Sequence, residues 1–217
     1  MKYLWLLLLV VLAGVTAFWP DIDPAVTRLF YAADQGFPWS MTPAATLIHE
    51  SATGTPLYIG TALLLGLTFA RVRYKPVRPW VFLFLALLLG PGVITNLVFK
   101  DHWGRARPVQ TEIFGGARHF TPYWQPAQEC GKNCAFFSGD AAYGFIFAAL
   151  GGVMKARRRW FWGGTVVGIV MGGNRIMMGA HFISDVVWAA LMMLGVIFAL
   201  YAAIFGRAAA RKFWQEI

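Results

Sequence analysis

The sequence predicts an all-α polytopic membrane protein, a bundle of six transmembrane helices forming one domain over residues 1–217, and three observations carry that expectation. Of the 217 residues, 58% are hydrophobic and only 13% charged, with a mean hydropathy of +0.56, so water is not the main solvent. Six apolar runs approach or reach the roughly 20 residues that a helix needs to cross a bilayer. Lys and Arg collect in short clusters between such runs, as they do on the cytoplasmic side of membranes. The formal net charge of +9 therefore points to the lipid bilayer and to no nucleic-acid partner, because a nucleic-acid binder gathers its cations on one soluble face.

The runs in chain order are residues 3–19, 54–70, 80–99, 135–154, 160–178 and 182–205. The first follows Lys2 and contains Ala13 and Ala17, as a signal peptide does, but no clear cleavage triplet precedes Trp19 and Pro20. It is read as a retained span, which also makes the helix count even. Arg71, Arg73, Lys75 and Arg78 follow the second run, and Lys155, Arg157, Arg158 and Arg159 the fourth, so these loops belong inside. Arg207, Arg211 and Lys212 place the carboxyl terminus there too, and Lys2 the amino terminus. Residues 20–53, residues 100–134 and the turn around Gly179 to His181 are left outside. In the first of these, Leu29, Phe30, Phe37 and Trp39 suit a short helix at the membrane surface. Trp19, Trp80, Trp103 and Trp160 near span ends fit an aromatic belt. Cys130 and Cys134 have too few ligands nearby for zinc and lack C-x-x-C spacing; a disulfide in an oxidising compartment is preferred, with two free thiols the alternative.

Ionisable groups at the outer ends of the last four spans break this pattern, and such groups in or near apolar helices are functional candidates. The first cluster is Lys100-Asp-His-Trp-Gly-Arg105-Ala-Arg107-Pro108. Its cations sit on the side that normally has fewer, so an anion site explains them better than snorkelling; a compact ammonium and planar guanidinium forks suit a phosphoryl group. The second is Phe136-Phe137-Ser138-Gly139-Asp140, where a helix amino terminus offers free N–H groups to phosphate oxygens, with plain capping as the competing explanation. The third runs from Asn174 and Arg175 to His181 and Asp185. His181 and Asp185, four apart, share a helix face, so the carboxylate can orient the imidazole and stabilise its cation. A structural hydrogen bond or a transporter's proton relay are the alternatives for that pair alone.

Together these clusters resemble the type 2 phosphatidic acid phosphatase superfamily, whose signature is Lys-(six residues)-Arg-Pro, then Pro-Ser-Gly-His, then Ser-Arg-(five residues)-His-(three residues)-Asp. Lys100, Arg107 and Pro108 match the first element, Ser138 and Gly139 the middle of the second, and Arg175, His181 and Asp185 the third, in the family order. The resemblance implies a six-helix lipid phosphatase with a catalytic loop on the outer face. Lys100, Arg107 and Arg175 would bind phosphate with help from Ser138 and the Gly139 backbone. His181 would attack phosphorus, Asp185 would orient it, and water would hydrolyse the phospho-histidine. No metal or other cofactor is expected, because three cations and a helix terminus already compensate the equatorial oxygens.

Two positions depart from the pattern. Asn174 replaces Ser, and its amide also donates hydrogen bonds. Asp140 stands where the family has the His that protonates the leaving group, and Phe137 replaces the preceding Pro. A carboxyl group of ordinary acidity is ionised at neutral pH and donates no proton, so either the surroundings of Asp140 change this or another group acts; His119 and Glu112 in the outer loop are the alternatives. Acidic replacements here look like those of some bacterial lipid A phosphatases. The expected substrate is therefore a phospholipid or lipid A-type molecule, most simply lipid A losing its 1- or 4′-phosphate at the periplasmic face of a bacterial inner membrane. Glu112, Arg118, His119 and Lys132 offer polar groups for a sugar head. A phosphatase for undecaprenyl diphosphate, phosphatidylglycerol phosphate or phosphatidic acid is the rival, followed by a lipid phosphotransferase and a non-catalytic binder or transporter. The sequence leaves the oligomeric state open.

Overall fold

A computed structural model describes residues 4–217; Lys2 and Tyr3, used above to orient the amino terminus and to open the first span, lie outside them. Eight helices are named here. They are α1 (Leu4–Phe18), α2 (Ile22–Arg28), α3 (Pro43–Val72), α4 (Arg78–Phe99), α5 (Gly139–Val153), α6 (Arg157–Met177), α7 (Ile183–Phe205) and α8 (Arg207–Glu216). Among the described residues there is no strand, only two isolated bridges. Three helices, α3, α4 and α7, are long and apolar enough to cross a membrane, and a fourth crossing is available if α1 and α2, bent by 103° at Trp19 to Asp21, count as one span.

The expected runs at residues 135–154 and 160–178 are where composition and helix geometry part. Residues 135–138 are not helical, so α5 begins at Gly139 and is an apolar helix shorter than the three long ones, with a 3₁₀ turn at Phe147–Ala149. Helix α6 has 21 residues, but glycines, Asn174 and Arg175 dilute its apolar character, and it falls outside the three. Helix α3 is longer than expected because Thr42 caps its start, accepting from Ala45 N at 3.2 Å, with Pro43 at the first helical position. In α4 the second half, Leu88–Phe99, is π-helical around Pro91, whose missing N–H interrupts the regular ladder.

Helix α5 is the hub, packed against α4, α6 and α7. Small residues allow this: a Cβ on Gly144 would lie 2.6 Å from the Gly168 Cα, so α5 and α6 approach backbone to backbone, as small residues permit between membrane helices. Phe82, Phe137, Phe161, Met193 and Ile197 are fully buried around it. By contrast α3 is peripheral, its flanks exposing Leu57, Tyr58, Leu65 and Phe69. The carboxyl-terminal segment folds into α8, which returns Phe213 onto Phe198 and Tyr201 of α7.

In the first outer segment the one α-helix before α3, α2, ends at Arg28, so Leu29, Phe30, Phe37 and Trp39 do not form the expected surface helix. Phe37 is buried with Phe114 and Phe182, and Trp39 donates from Nε1 to Asn174 Oδ1 at 2.8 Å. Trp103 is likewise not a belt residue; it stacks with Phe99 and Phe136 and donates to the Tyr123 carbonyl at 2.6 Å. Trp19 and Trp160 are exposed. All the candidate site residues lie at one end of the helices: after α4, at the start of α5, at the end of α6 and at the start of α7.

Candidate functional site

The turn that presents His181 is built from backbone first. Gly179 adopts φ +65°, a conformation costly for other residues, and Ala180 and His181 both donate their N–H groups to the Arg175 carbonyl, closing the end of α6. Helix α7 then starts under an acidic cap, Asp185 Oδ2 accepting from Phe182 N at 2.8 Å. The His181 Nδ1 lies 3.6 Å from the same Oδ2, close enough for the carboxylate to face the ring, beyond hydrogen-bond length. His181 is fully buried and neither ring nitrogen has a hydrogen-bond partner. Burial pushes the imidazole down to about 4, against the opposing pull of Asp185, so it is neutral at physiological pH and keeps a free lone pair.

Asp185 is itself held by Arg105. The guanidinium Nη1 donates to Asp185 Oδ1 at 2.5 Å and to Ser184 Oγ at 2.9 Å, Nη2 to Asp23 Oδ2 at 2.7 Å, and Nε to the Thr121 carbonyl at 2.9 Å. Ser184 closes the ring, donating from N and Oγ to the two Asp23 oxygens. Arg105 is thus fully buried with its donors occupied. Burial opposes its charge, but Asp185 and Asp23 outweigh that and raise its proton affinity. This corrects the grouping of Arg105 with the anion-binding cations: it anchors the carboxylate behind the imidazole. Breaking one partner out of such a buried pair typically costs about 3–5 kcal/mol.

The three cations expected to grip phosphate converge from separate elements. Lys100 follows α4, and its ammonium lies where a Cβ on Gly139 would meet Nζ at 2.9 Å; only glycine lets the α5 terminus sit this close. Lys100 donates to Asn133 Oδ1 at 3.1 Å, and Arg107 Nη2 to the Asn133 carbonyl at 2.9 Å. Asn133, in the left-handed region at φ +53°, lies between Cys130 and Cys134, which form a disulfide. Arg175, at the end of α6, is buried; its Nε has no hydrogen bond and sits 3.4 Å from Asp140 Oδ2. Arg107 is close enough to act electrostatically on both Lys100 and Arg175, Arg175 on Lys100, and Lys100 and Arg175 on His181. Burial first, then Arg107 and Arg175, push the Lys100 ammonium down to about 8, while burial lowers Arg107. Ser138 caps α5, its Oγ accepting from Ala141 N at 3.4 Å, and its own N–H donates to the Asp185 carbonyl at 3.2 Å, tying the two helix starts together.

Asp140 is buried and faces a residue that the sequence reading did not single out. His49 Nδ1, from the second turn of α3, lies 2.6 Å from Asp140 Oδ2. Asn174 does not turn its amide to an anion; Oδ1 accepts from Trp39, and Nδ2 donates to the Ala45 carbonyl at 3.1 Å, one turn before His49. His119 and Glu112 pair with each other at 3.0 Å on the exposed surface, with side chains 73% and 59% accessible. A cavity of about 600 Å³ opens beside the cluster: Lys100, Gly139 and Asp140 form one wall, and Leu57, Leu64 and Leu87 lead away along α3 and α4. The signal for His49 in sequence was absent, because 91 residues separate it from its partner and it carries no motif.

Comparison with known proteins bears on this arrangement. The model of the PAP2 superfamily matches residues 79–209, which contain all the matched signature positions. A lipid A 4'-phosphatase of Francisella tularensis subsp. novicida (strain U112) is 33% identical over 165 residues, covering 73% of this chain and 74% of that protein. One of Rhizobium leguminosarum is 32% identical over 214 residues, covering 88% and 91%. A third, of Rhizobium etli, is 44% identical over 139 residues, covering 63% and 53%. No solved structure matches the chain.

Proposed function

The chain belongs to the PAP2 superfamily, and from that premise we propose that it is a membrane-embedded lipid phosphatase that hydrolyses a phosphoric ester of lipid A, the 4′-phosphate named for its relatives. One observation carries the mechanistic part: a buried, neutral imidazole with unpartnered nitrogens stands among Lys100, Arg107 and Arg175. A phosphoryl group held by these cations and by the start of α5 has its developing charge compensated. With Nδ1 facing Asp185, Nε2 of His181 is the nucleophile. The P–N bond forms as the ester P–O bond breaks, and water then attacks phosphorus and releases His181 and inorganic phosphate. Asp185, locked by Arg105 and the Phe182 N–H, orients the ring and stabilises the cation that phosphorylation creates.

The cavity supports a lipid substrate, since one end holds Lys100 and Asp140 and the rest of its wall is mostly apolar, with Leu57, Leu64, Phe84, Leu87 and Leu88. Six crossings, with α1, α5 and α6 completing the three long helices, both termini inside and the outer loop over the site, are part of the same proposal. The basic loops at residues 71–78 and 155–159 lie at the helix ends opposite His181, which supports a periplasmic site. The deciding experiment incubates purified protein with lipid A, a polyprenyl diphosphate and phosphatidic acid. Release of the lipid A 4′-phosphate that disappears in His181→Ala is the expected result. Intact lipid A beside a hydrolysed polyprenyl diphosphate would overturn the substrate, and unchanged turnover in His181→Ala would overturn the nucleophile.

A further inference from the structure

The reaction proposed above leaves one group unassigned. A sugar alkoxide is a poor leaving group, so a proton must reach the ester oxygen as the P–O bond breaks. Asp140 occupies the position of the family's acid, and it is not alone there: its Oδ2 is 2.6 Å from His49 Nδ1. The partner comes from outside residues 79–209, the part of the chain that the family model matches. The same amino-terminal segment accounts for the other departure from the signature, since Asn174 holds Trp39 and the Ala45 carbonyl. Both unusual side chains therefore serve to seat the start of α3 against α5 and α6.

Resting on the phosphatase reading, we infer that His49 is the acid that protonates the leaving oxygen, with Asp140 as the positioning carboxylate that replaces the family's histidine. Nδ1–H is donated to Asp140, which leaves Nε2 at the far side of the ring; among the described residues no hydrogen bond engages it. The side chain is 35% accessible, on the same helix as the cavity residues Ala52 and Thr53, whereas Asp140 is in the cavity wall itself. The charged groups around the pair are Arg175 on α6, 3.4 Å from Asp140, Lys100 after α4 and Arg107 beyond it.

The proton balance closes. His181 Nε2 forms the P–N bond, the sugar P–O bond breaks, and the leaving oxygen takes the proton from His49 Nε2, leaving His49 neutral. In the second half-reaction water loses a proton to His49 Nε2 as its oxygen bonds phosphorus, the P–N bond breaks and inorganic phosphate departs. His49 ends protonated, as it began.

A structural tie between α3 and α5 would slow all substrates alike, whereas an acid matters only where the leaving group needs a proton. The test compares His49→Gln with wild type on lipid A and on p-nitrophenyl phosphate, whose phenolate departs unaided. If only lipid esters are accepted, a polyprenyl diphosphate takes the second place. The ratio of the two rates within one preparation is independent of how much protein folds. The expected result is a loss of roughly 100-fold or more on lipid A against a loss of less than about tenfold on the activated ester, with Asp140→Asn shifting the ratio in the same direction. Equal losses on both substrates overturn the role of His49 and leave the phosphatase intact, while His181→Ala, inactive on both, tests the phosphatase separately.

Discussion

At the scale of single residues the site asks burial to do two opposite things. An imidazole that attacks phosphorus, the role proposed for His181, must be unprotonated, and burial helps by pushing it down to about 4. An ammonium that grips phosphate, the role proposed for Lys100, must stay charged, and the same burial weakens it, its proton affinity falling to about 8. The sign follows directly: below pH 8 the free enzyme carries this cation, and above it the cation is lost. Inhibition by inorganic phosphate, essentially dianionic above pH 8, is therefore expected to weaken as pH rises from 8 to 10. Arginine keeps its charge there, so Lys100→Arg, though not a neutral change in geometry, is expected to abolish that pH dependence. An equal alkaline weakening in the variant would remove Lys100 from the phosphate site. The residues proposed for catalysis stood out in sequence because ionisable groups beside apolar runs are conspicuous and their spacing matched a signature. His49 and Asp23 were not, because their meaning lies in partners 91 and 82 residues away. Arg105 was visible as a charge, but nothing in its spacing distinguished an anion ligand from a buried anchor.

Among elements, the segment between α4 and α5 has the least regular structure and holds two of the three cations. It is organised by a short loop: Cys134 N donates to the Lys100 carbonyl and Ala135 N to the Arg105 carbonyl, laying residues 134–135 along 100–105. The Cys130–Cys134 disulfide then closes a turn in which Asn133 meets Lys100 with its side chain and Arg107 with its carbonyl. Asn133 tolerates the left-handed conformation better than most residues, which explains the residue type. The loop positions Lys100 and Arg107 without touching His181, the proposed nucleophile, so losing it should spread the proposed binding site and spare the chemistry. Replacing both cysteines by serine is expected to raise KM for the lipid substrate several-fold with kcat within about twofold, the pattern of lost uniform binding. A kcat collapse at unchanged KM would instead make the loop part of the chemical step. Sequence limited the pair to a disulfide or free thiols, and placed the start of α7 within one residue, whereas the start of α5 was harder to read. Residues 135–138 are apolar enough to join a span, and only the docking of Ser138 N–H onto the Asp185 carbonyl shows why they do not.

For the whole molecule, the sequence conveyed the helical class, and the structure shows where hydropathy stops being informative. Helices α3, α4 and α7 are long and apolar enough to cross a membrane, although the protein itself buries only part of each. Helices α5 and α6 carry glycines where they pack on each other and polar groups where they meet the site, so by length or hydropathy they fall short of the three long helices although the sequence predicts both as spans. What composition could not supply, charge asymmetry does. Residues 71–78 and 155–159 hold eight Lys or Arg side chains between them at one end of the bundle, while His181 and its partners occupy the other. If that asymmetry sets orientation, the two ends face different compartments. Cysteines placed singly at Arg158 and at Arg118, in a chain whose native pair remains disulfide-bonded, distinguish the ends. In cells whose inner membrane is intact, a membrane-impermeant maleimide with access to the periplasm is expected to label position 118 and to label position 158 only after permeabilisation. The reverse pattern would put the phosphate site on the cytoplasmic side, and labelling of both before permeabilisation would mean that residues 157–177 do not separate the two compartments.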